Sequence, residues 1–167
     1  MNDQLFTITI DSPVRELRLI ASDSGMRAIL WHDHAAHRVA VDNDRLNDRC
    51  TTILQSAADQ LDEYFRGKRE SFDLPLDPVG SPFQQAAWLV LRTIPYGQTI
   101  TYGEQARRLG DPNKARAVGA ANGRNPLSIV VPCHRVIGAT GKLTGFAGGI
   151  DAKAWLLDHE RGLFAIR

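Results

Sequence analysis

Cysteine is scarce in this 167-residue chain: Cys50 and Cys133 are the only two, so at most one bridge can form. That excludes a disulfide-built extracellular scaffold. Cys50 sits in a polar Arg49-Cys50-Thr51 context that reads as a helix start, and both residues are read as reduced thiols. Long hydrophobic runs are missing too. No apolar stretch approaches the roughly 18 residues that cross a bilayer, and Met1-Asn2-Asp3-Gln4 has neither the basic nor the apolar region of an export signal. A cytoplasmic protein with no membrane partner is expected. Metal-ligand spacing is also absent: Trp31-His32-Asp33-His34, with His37 beyond, has no second Cys/His pair to complete a site. The cluster reads as polar loop, and neither metal nor cofactor is expected.

Net charge is nearly nil, at +1, but its distribution is not even. Residues 1 to 80 carry 9 Lys+Arg and 14 Asp+Glu, a net of −5; residues 81 to 167 carry 11 and 5, a net of +6. Only the second half suits a polyanion. The division falls at a proline-rich stretch, Asp73-Leu74-Pro75-Leu76-Asp77-Pro78-Val79-Gly80, so the expected organisation is a domain over 1–72, a linker over 73–80 and a second domain over 81–167.

The first domain alternates short apolar runs (5–10, 16–21, 26–31) with turns at Ser12-Pro13 and Ser24-Gly25, the pattern of an antiparallel three-stranded meander. Ile53, Ala57, Leu61, Tyr64 and Phe65 then recur at helical spacing, with Gly67 closing a helix that packs on the sheet. In the second domain, Ser81-Pro82-Phe83-Gln84 and Thr101-Tyr102-Gly103-Glu104 both read as capping boxes opening helices. The helix after Tyr102 ends at Gly110, and Asp111-Pro112 starts another that runs to about Asn122. Two short helices across a glycine-containing turn make a helix-turn-helix candidate. The second is small-sided, with Ala115, Ala117, Gly119, Ala120 and Ala121, and Lys114 and Arg116 stand near its start. Gly119 implies close approach by a neighbouring helix or by a nucleic-acid backbone.

Ser128-Ile129-Val130-Val131 reads as a buried strand delivering Pro132-Cys133-His134-Arg135, where a thiol and an imidazole meet. Positive charge from His134 and Arg135 is expected to lower the thiol pKa from about 8.5. On an extended backbone consecutive side chains point apart, so a histidine base would act on Cys133 through water. Glu160 is the candidate carboxylate orienting that base, with His159 and Asp158 as alternatives. The glycine-rich loop 138–149 lacks a phosphate-loop signature and reads as a pocket wall, with Phe146 for stacking and Gly148 for backbone approach. Asp151 is the expected cap of a final helix.

Taken together, Tyr102, Ala115-Arg116-Ala117-Val118-Gly119, Asn125-Pro126, Pro132-Cys133-His134-Arg135-Val136-Ile137 and Trp155-Leu156-Leu157-Asp158-His159-Glu160 resemble the O6-alkylguanine-DNA alkyltransferases of the short bacterial type. The resemblance implies an α+β protein with an N-terminal, ribonuclease-H-like antiparallel sheet and packed helix, and a mostly helical C-terminal domain. It also implies repair of duplex DNA by direct reversal, in which the alkyl group of O6-alkylguanine, and of O4-alkylthymine, moves irreversibly to Cys133 after the nucleotide flips out. Cys133, His134 and Glu160 then form a relay, Tyr102 assists departure of the base, and Asn125 braces the turn before the site. Arg116 fills the vacated stack, with Lys114 and Arg124 as further DNA contacts, while Val136, Phe146, Ala147 and Gly148 line the substrate pocket. A monomer associated with the nucleoid is the expected state. A lesion-binding protein without chemistry is the rival reading, and a nucleophile at position 133 argues against it.

Overall fold

The computed structural model describes residues 4–31 and 48–164. The His32 to His37 cluster lies outside these residues, as does the side chain of Cys50. Two compact units are present, Met1–Val79 and Gly80–Arg167.

In the first unit, β1 (Phe6–Ile10), β2 (Leu17–Ala21) and β3 (Met26–Trp31) form the antiparallel meander in the order β1-β2-β3. The central strand is the most deeply buried, with Leu17, Leu19, Ile20 and Ala21 all inaccessible. Helix α1 (Asp48–Phe65) covers it through Ile53, Leu54, Ala57, Leu61 and Tyr64, so the helical spacing seen in the sequence is its core face. Part of the proline-rich stretch does more than link. Leu76 bridges in parallel to Met26, Met26 N–H donates to Pro75 O at 2.8 Å, and Asp77 accepts from Ser22 and Arg27. Two prolines flank this bridge, which suits them to a strand edge that needs few donors.

The second unit is built mainly from α2 (Pro82–Leu91), α3 (Tyr102–Arg108), α4 (Ala115–Gly123) and α5 (Ile150–Glu160). Two short strands, β4 (Ile100–Thr101) and β5 (Val136–Ile137), pair in parallel. Helix α2 starts at the full capping box expected of Ser81 and Gln84. The second box is only half made. Thr101 Oγ1 accepts from Glu104 N–H at 3.1 Å, but the Glu104 carboxylate turns to Arg107 and Arg108, a charge-assisted alternative to a neutral backbone donor. Nor does Asp151 cap α5. The N-cap is Gly149, whose φ of 91° favours glycine, and Asp151 falls in the first turn, where its charge suits the helix dipole.

Helices α3 and α4 form the helix-turn-helix. The chain reverses at Gly110, at φ 98°, and Asp111 caps a 3-10 turn, Pro112–Lys114, that leads into α4. A buried amide pair sets the two helices against each other: Gln105 and Asn122 exchange hydrogen bonds of 3.0 and 2.7 Å, and Gln105 also donates to Ala87 O on α2. Trp88 Nε1 donates to Ala121 O at 2.8 Å. Three helices are thus pinned by buried polar bonds with fixed directions, which apolar packing alone would not supply. Gly119 faces Tyr102, but a Cβ there would lie 3.7 Å from the phenol ring, an ordinary contact, so within the protein no close approach requires glycine.

Candidate active site

The segment expected to be a strand is instead a hydrogen-bonded loop. Val130 N–H donates to Ser128 O, Val131 N–H to Leu127 O, and Ile129 is held at φ 76°. These i to i+2 and i to i+4 bonds turn the chain, and a β-branched residue in the left-handed region is held only by its surroundings. Buried apolar runs of four residues are ambiguous by periodicity, and here the turn won. Asn125 ties the loop from inside, its Nδ2 donating to Val131 O at 2.8 Å and its Oδ1 accepting from Leu127 N–H at 3.0 Å. The loop runs from the end of α4 to Pro132, so the helix-turn-helix and the cysteine are joined by one buried asparagine.

Cys133 opens a 3-10 turn, Cys133–Arg135, rather than ending a strand. With three residues per turn, neighbouring side chains diverge by about 120°, so Cys133 and His134 still point apart, for a different reason than expected. The thiol is buried, and burial pushes its pKa up. Opposing this are hydrogen bonds from Asn125 and Ser128 and the charge of Lys153. His134 and Arg135 do not perform the activating role expected of them. Arg135 is committed to Glu160, through Nε to Oε2 and Nη2 to Oε1 at 2.9 Å each, and to Ile94 O through Nη1 at 2.7 Å.

Glu160 is the carboxylate that meets the histidine. His134 Nε2 and Glu160 Oε1 are 2.7 Å apart, with side chains 0% and 1% exposed. The bonds from His134 and Arg135 outweigh burial and hold Glu160 below the usual carboxylate range, so it is ionised and can only accept. Nε2 must therefore carry a proton. Burial lowers the His134 pKa against the pull of Glu160, which keeps the ring neutral. A neutral ring protonated at Nε2 leaves a bare lone pair on Nδ1, and Nδ1 is buried with no hydrogen-bond partner. The alternatives to Glu160 are occupied elsewhere: His159 stacks on Trp155 at 4.9 Å, and Asp158 faces Arg161 at 4.0 Å.

Val136 and Gly148 are buried, Phe146 and Ala147 half-buried. Tyr102 O–H donates to Thr144 O at 3.3 Å, which ties α3 to the glycine-rich loop. On the outer face, Lys114, Arg116, Ala117, Ala120 and Arg124 are exposed. Lys114 rests near Phe83, 5.6 Å from its ring centroid, while Arg116 and Arg124 form no ion pair among the described residues. Arg107 and Arg108, by contrast, share the carboxylate of Glu104, whose pKa falls to about 2. Lys153 is the residue that sequence reading missed. A lysine inside Ala152-Lys153-Ala154-Trp155 carries no motif, and only its position in α5 opposite Val136 reveals it.

Among the described residues, no group of three or more His, Cys, Asp or Glu side chains is placed to hold a metal, and no helix is long and apolar enough to cross a membrane. A helix-turn-helix joined through one hydrogen-bonded loop to a buried cysteine, next in sequence to a buried histidine, has the parts of a DNA-binding protein of cysteine chemistry. The chain matches two family models, the 6-O-methylguanine DNA methyltransferase ribonuclease-like domain over residues 5–78 and the DNA-binding domain of the same name over residues 82–162. It is 58% identical over 155 residues to the methylated-DNA–protein-cysteine methyltransferase of Mycobacterium bovis, covering 92% of this chain and 90% of that protein. The protein of the same name from Methanosarcina acetivorans is 42% identical over 156 residues, covering 93% and 98%. In structure it is similar to the Mycobacterium tuberculosis OGT solved in complex with DNA, with a TM-score of 0.82 at 46% identity over 92% of this chain and 91% of that one. The chain belongs to the 6-O-methylguanine DNA methyltransferase family. It is a DNA-repair methyltransferase of the methylated-DNA–protein-cysteine class.

Proposed function

We propose that Cys133 takes the alkyl group from O6 of an alkylguanine, and from O4 of an alkylthymine, flipped out of duplex DNA. The carrying observation is the bare, buried Nδ1 of His134, one residue from the only free cysteine whose side chain is described. In this reading a water between Sγ and Nδ1 passes the thiol proton to the imidazole, and Glu160 compensates the imidazolium charge. The thiolate attacks the alkyl carbon; the C–S bond forms as the C–O bond breaks, and the electron pair leaves on the base. Tyr102 O–H supplies a proton to the departing guanine, and the imidazolium proton restores it. The thioether product is stable, so each molecule acts once.

Arg116 enters the stack from the minor groove, and Lys114 and Arg124 contact phosphates. Their exposure supports this, as does the small exposed surface of Ala117 and Ala120 beside them. The base lies among Val136, Phe146, Ala147 and Gly148. Phe146 and Ala147 bring no hydroxyl to O6, so the donor there is the backbone: the Ala147 amide has no partner among the described residues. Asn125 carries the connection between recognition helix and nucleophile. The protein works as a monomer in the cytoplasm, on the nucleoid.

Incubation with a duplex containing one O6-methylguanine, followed by intact mass and peptide mapping, tests the reading. One methyl group per molecule on Cys133, and none on C133S, is the expected result. An unmodified Cys133 after prolonged incubation overturns it.

A further inference from the structure

Thr144 lies in the glycine-rich loop and has no part in the relay, yet both of its oxygens face the phenol of Tyr102. The phenol oxygen is 3.3 Å from Thr144 O and 3.3 Å from Thr144 Oγ1. A phenol has one proton to give, and the carbonyl can only accept it. With that proton on the carbonyl, the second contact has the threonine as donor: Oγ1–H points at the phenol oxygen. Thr144 Oγ1 has no other partner among the described residues.

The ring is held while its tip is not. Tyr102 is the first residue of α3, directly behind the Thr101 cap, and its ring faces Gly119 of α4. Both contacts at the hydroxyl are longer than the roughly 2.7–2.8 Å usual for O–H···O bonds, so the phenol is tethered without being firmly committed. Turning its O–H from the carbonyl toward a base costs little, because Thr144 O keeps a 2.9 Å bond from Lys153 and is not left bare. The contact from Oγ1–H survives that turn, since it falls on a lone pair of the phenol oxygen and not on its proton.

We propose that Thr144 is a positioning residue for the leaving-group step: its Oγ1–H donates to the Tyr102 phenol oxygen, turns the phenol proton outward to the base and steadies the negative charge that oxygen gains. The phenol O–H bond breaks as an N–H bond forms on the departing guanine, and the electron pair stays on the phenol oxygen. The imidazolium proton of His134 then restores the phenol; the threonine proton stays on Oγ1 throughout. A hydrogen bond to an oxygen that is becoming an anion is stronger than one to a neutral phenol. The bond therefore tightens in the transition state, where a gain in binding raises the rate.

This inference rests on Tyr102 giving its proton to the base, and Y102F tests that reading by itself. Single-turnover methyl transfer from a duplex containing O6-methylguanine is followed at rising protein concentration, which gives a limiting rate and a half-saturating concentration. T144V keeps the shape and the backbone carbonyl but loses the hydroxyl; its limiting rate should fall about tenfold, with half-saturation within about twofold of the parent. T144S restores the hydroxyl and should return to within about threefold of the parent rate. In a Y102F background T144V should add less than about twofold, because the hydroxyl then has no phenol oxygen to serve. A slow Y102F beside a T144V at the parent rate overturns the role of Thr144 and leaves that of Tyr102 standing. Equal effects of T144V with and without the phenol overturn it too, as does a T144S as slow as T144V, which would make the effect one of packing. A Y102F at the parent rate removes both roles. Should T144V fail to fold, T144A also lacks the hydroxyl and carries the same comparison.

Discussion

His134 Nε2 donates to Glu160 Oε1 across 2.7 Å, and that bond dictates which nitrogen of the ring is left to act as a base. The carboxylate is ionised and can only accept, so the lone pair falls on Nδ1. Glu160→Gln removes the constraint. An amide can donate to Nε2 as well as accept from it, and Arg135 loses its counter-charge. Single-turnover methyl transfer should slow by about 10²- to 10⁴-fold, the usual range for a positioned acid or base. Chemical denaturation should register a loss of about 3–5 kcal/mol, typical of a buried pair broken on one side. A rate within tenfold of the parent would take the proton path away from Nδ1.

Asn125→Ala leaves the buried Val131 carbonyl and Leu127 amide bare. Each unsatisfied group costs about 1–3 kcal/mol, which should appear in the unfolding midpoint. The thiol also loses a hydrogen bond that lowers its pKa, so its iodoacetamide inflection should rise. A variant of unchanged stability would mean that the loop has other support than this side chain.

Arg116→Ala should leave stability within about 0.5 kcal/mol, as for most exposed positions without partners. Repair should respond differently in two substrates. With a duplex the rate should fall about tenfold or more, because holding a nucleotide out of the stack costs a few kcal/mol. A single-stranded oligonucleotide should be repaired at close to the parent rate. Equal loss on both substrates would assign Arg116 to general DNA affinity instead.

Stability should peak in a window set by the buried site. The His134 pKa is lowered from 6.5, so below that pH the unfolded chain binds the extra proton and folding weakens as pH falls. Glu160, also lowered, adds to the loss on the acid side below its ordinary 4.5. Cys133 is raised above 9.0, so on the alkaline side the folded chain holds the proton longer and stability falls as pH rises past that value. Thermal melts should therefore plateau between about pH 6.5 and 9. A midpoint that climbs steadily down to pH 5 would contradict a neutral buried His134.

Local chemistry made much of the second unit legible. Ser81 and Gln84 spell a capping box whose partners lie three residues apart, and both halves form as expected. Thr101 and Glu104 spell the same box, yet Arg107 and Arg108 stand one turn further along and take the carboxylate. The box spacing is legible along the chain; which donors take the carboxylate depends on side chains one turn further on. At Ser128 to Val131 the apolar run has the pattern of a buried strand, whereas Asn125 supplies the donor and acceptor that hold those residues in a turn.

Residue types and spacings determined the order of elements, the helix-turn-helix, the cysteine with its histidine and the likeness to a family, because caps, turns and periodic apolar faces act over a few residues. Which carboxylate meets His134, what Arg135 does and which carbonyls hold the buried Lys153 were decided only by the fold. Positions 135 and 160 are twenty-five residues apart in sequence, and position 153 is equally distant in meaning from 136 and 144 until α5 packs against the turn. Buried charges choose their partners by distance and by exclusion of water, and neither is written along the chain.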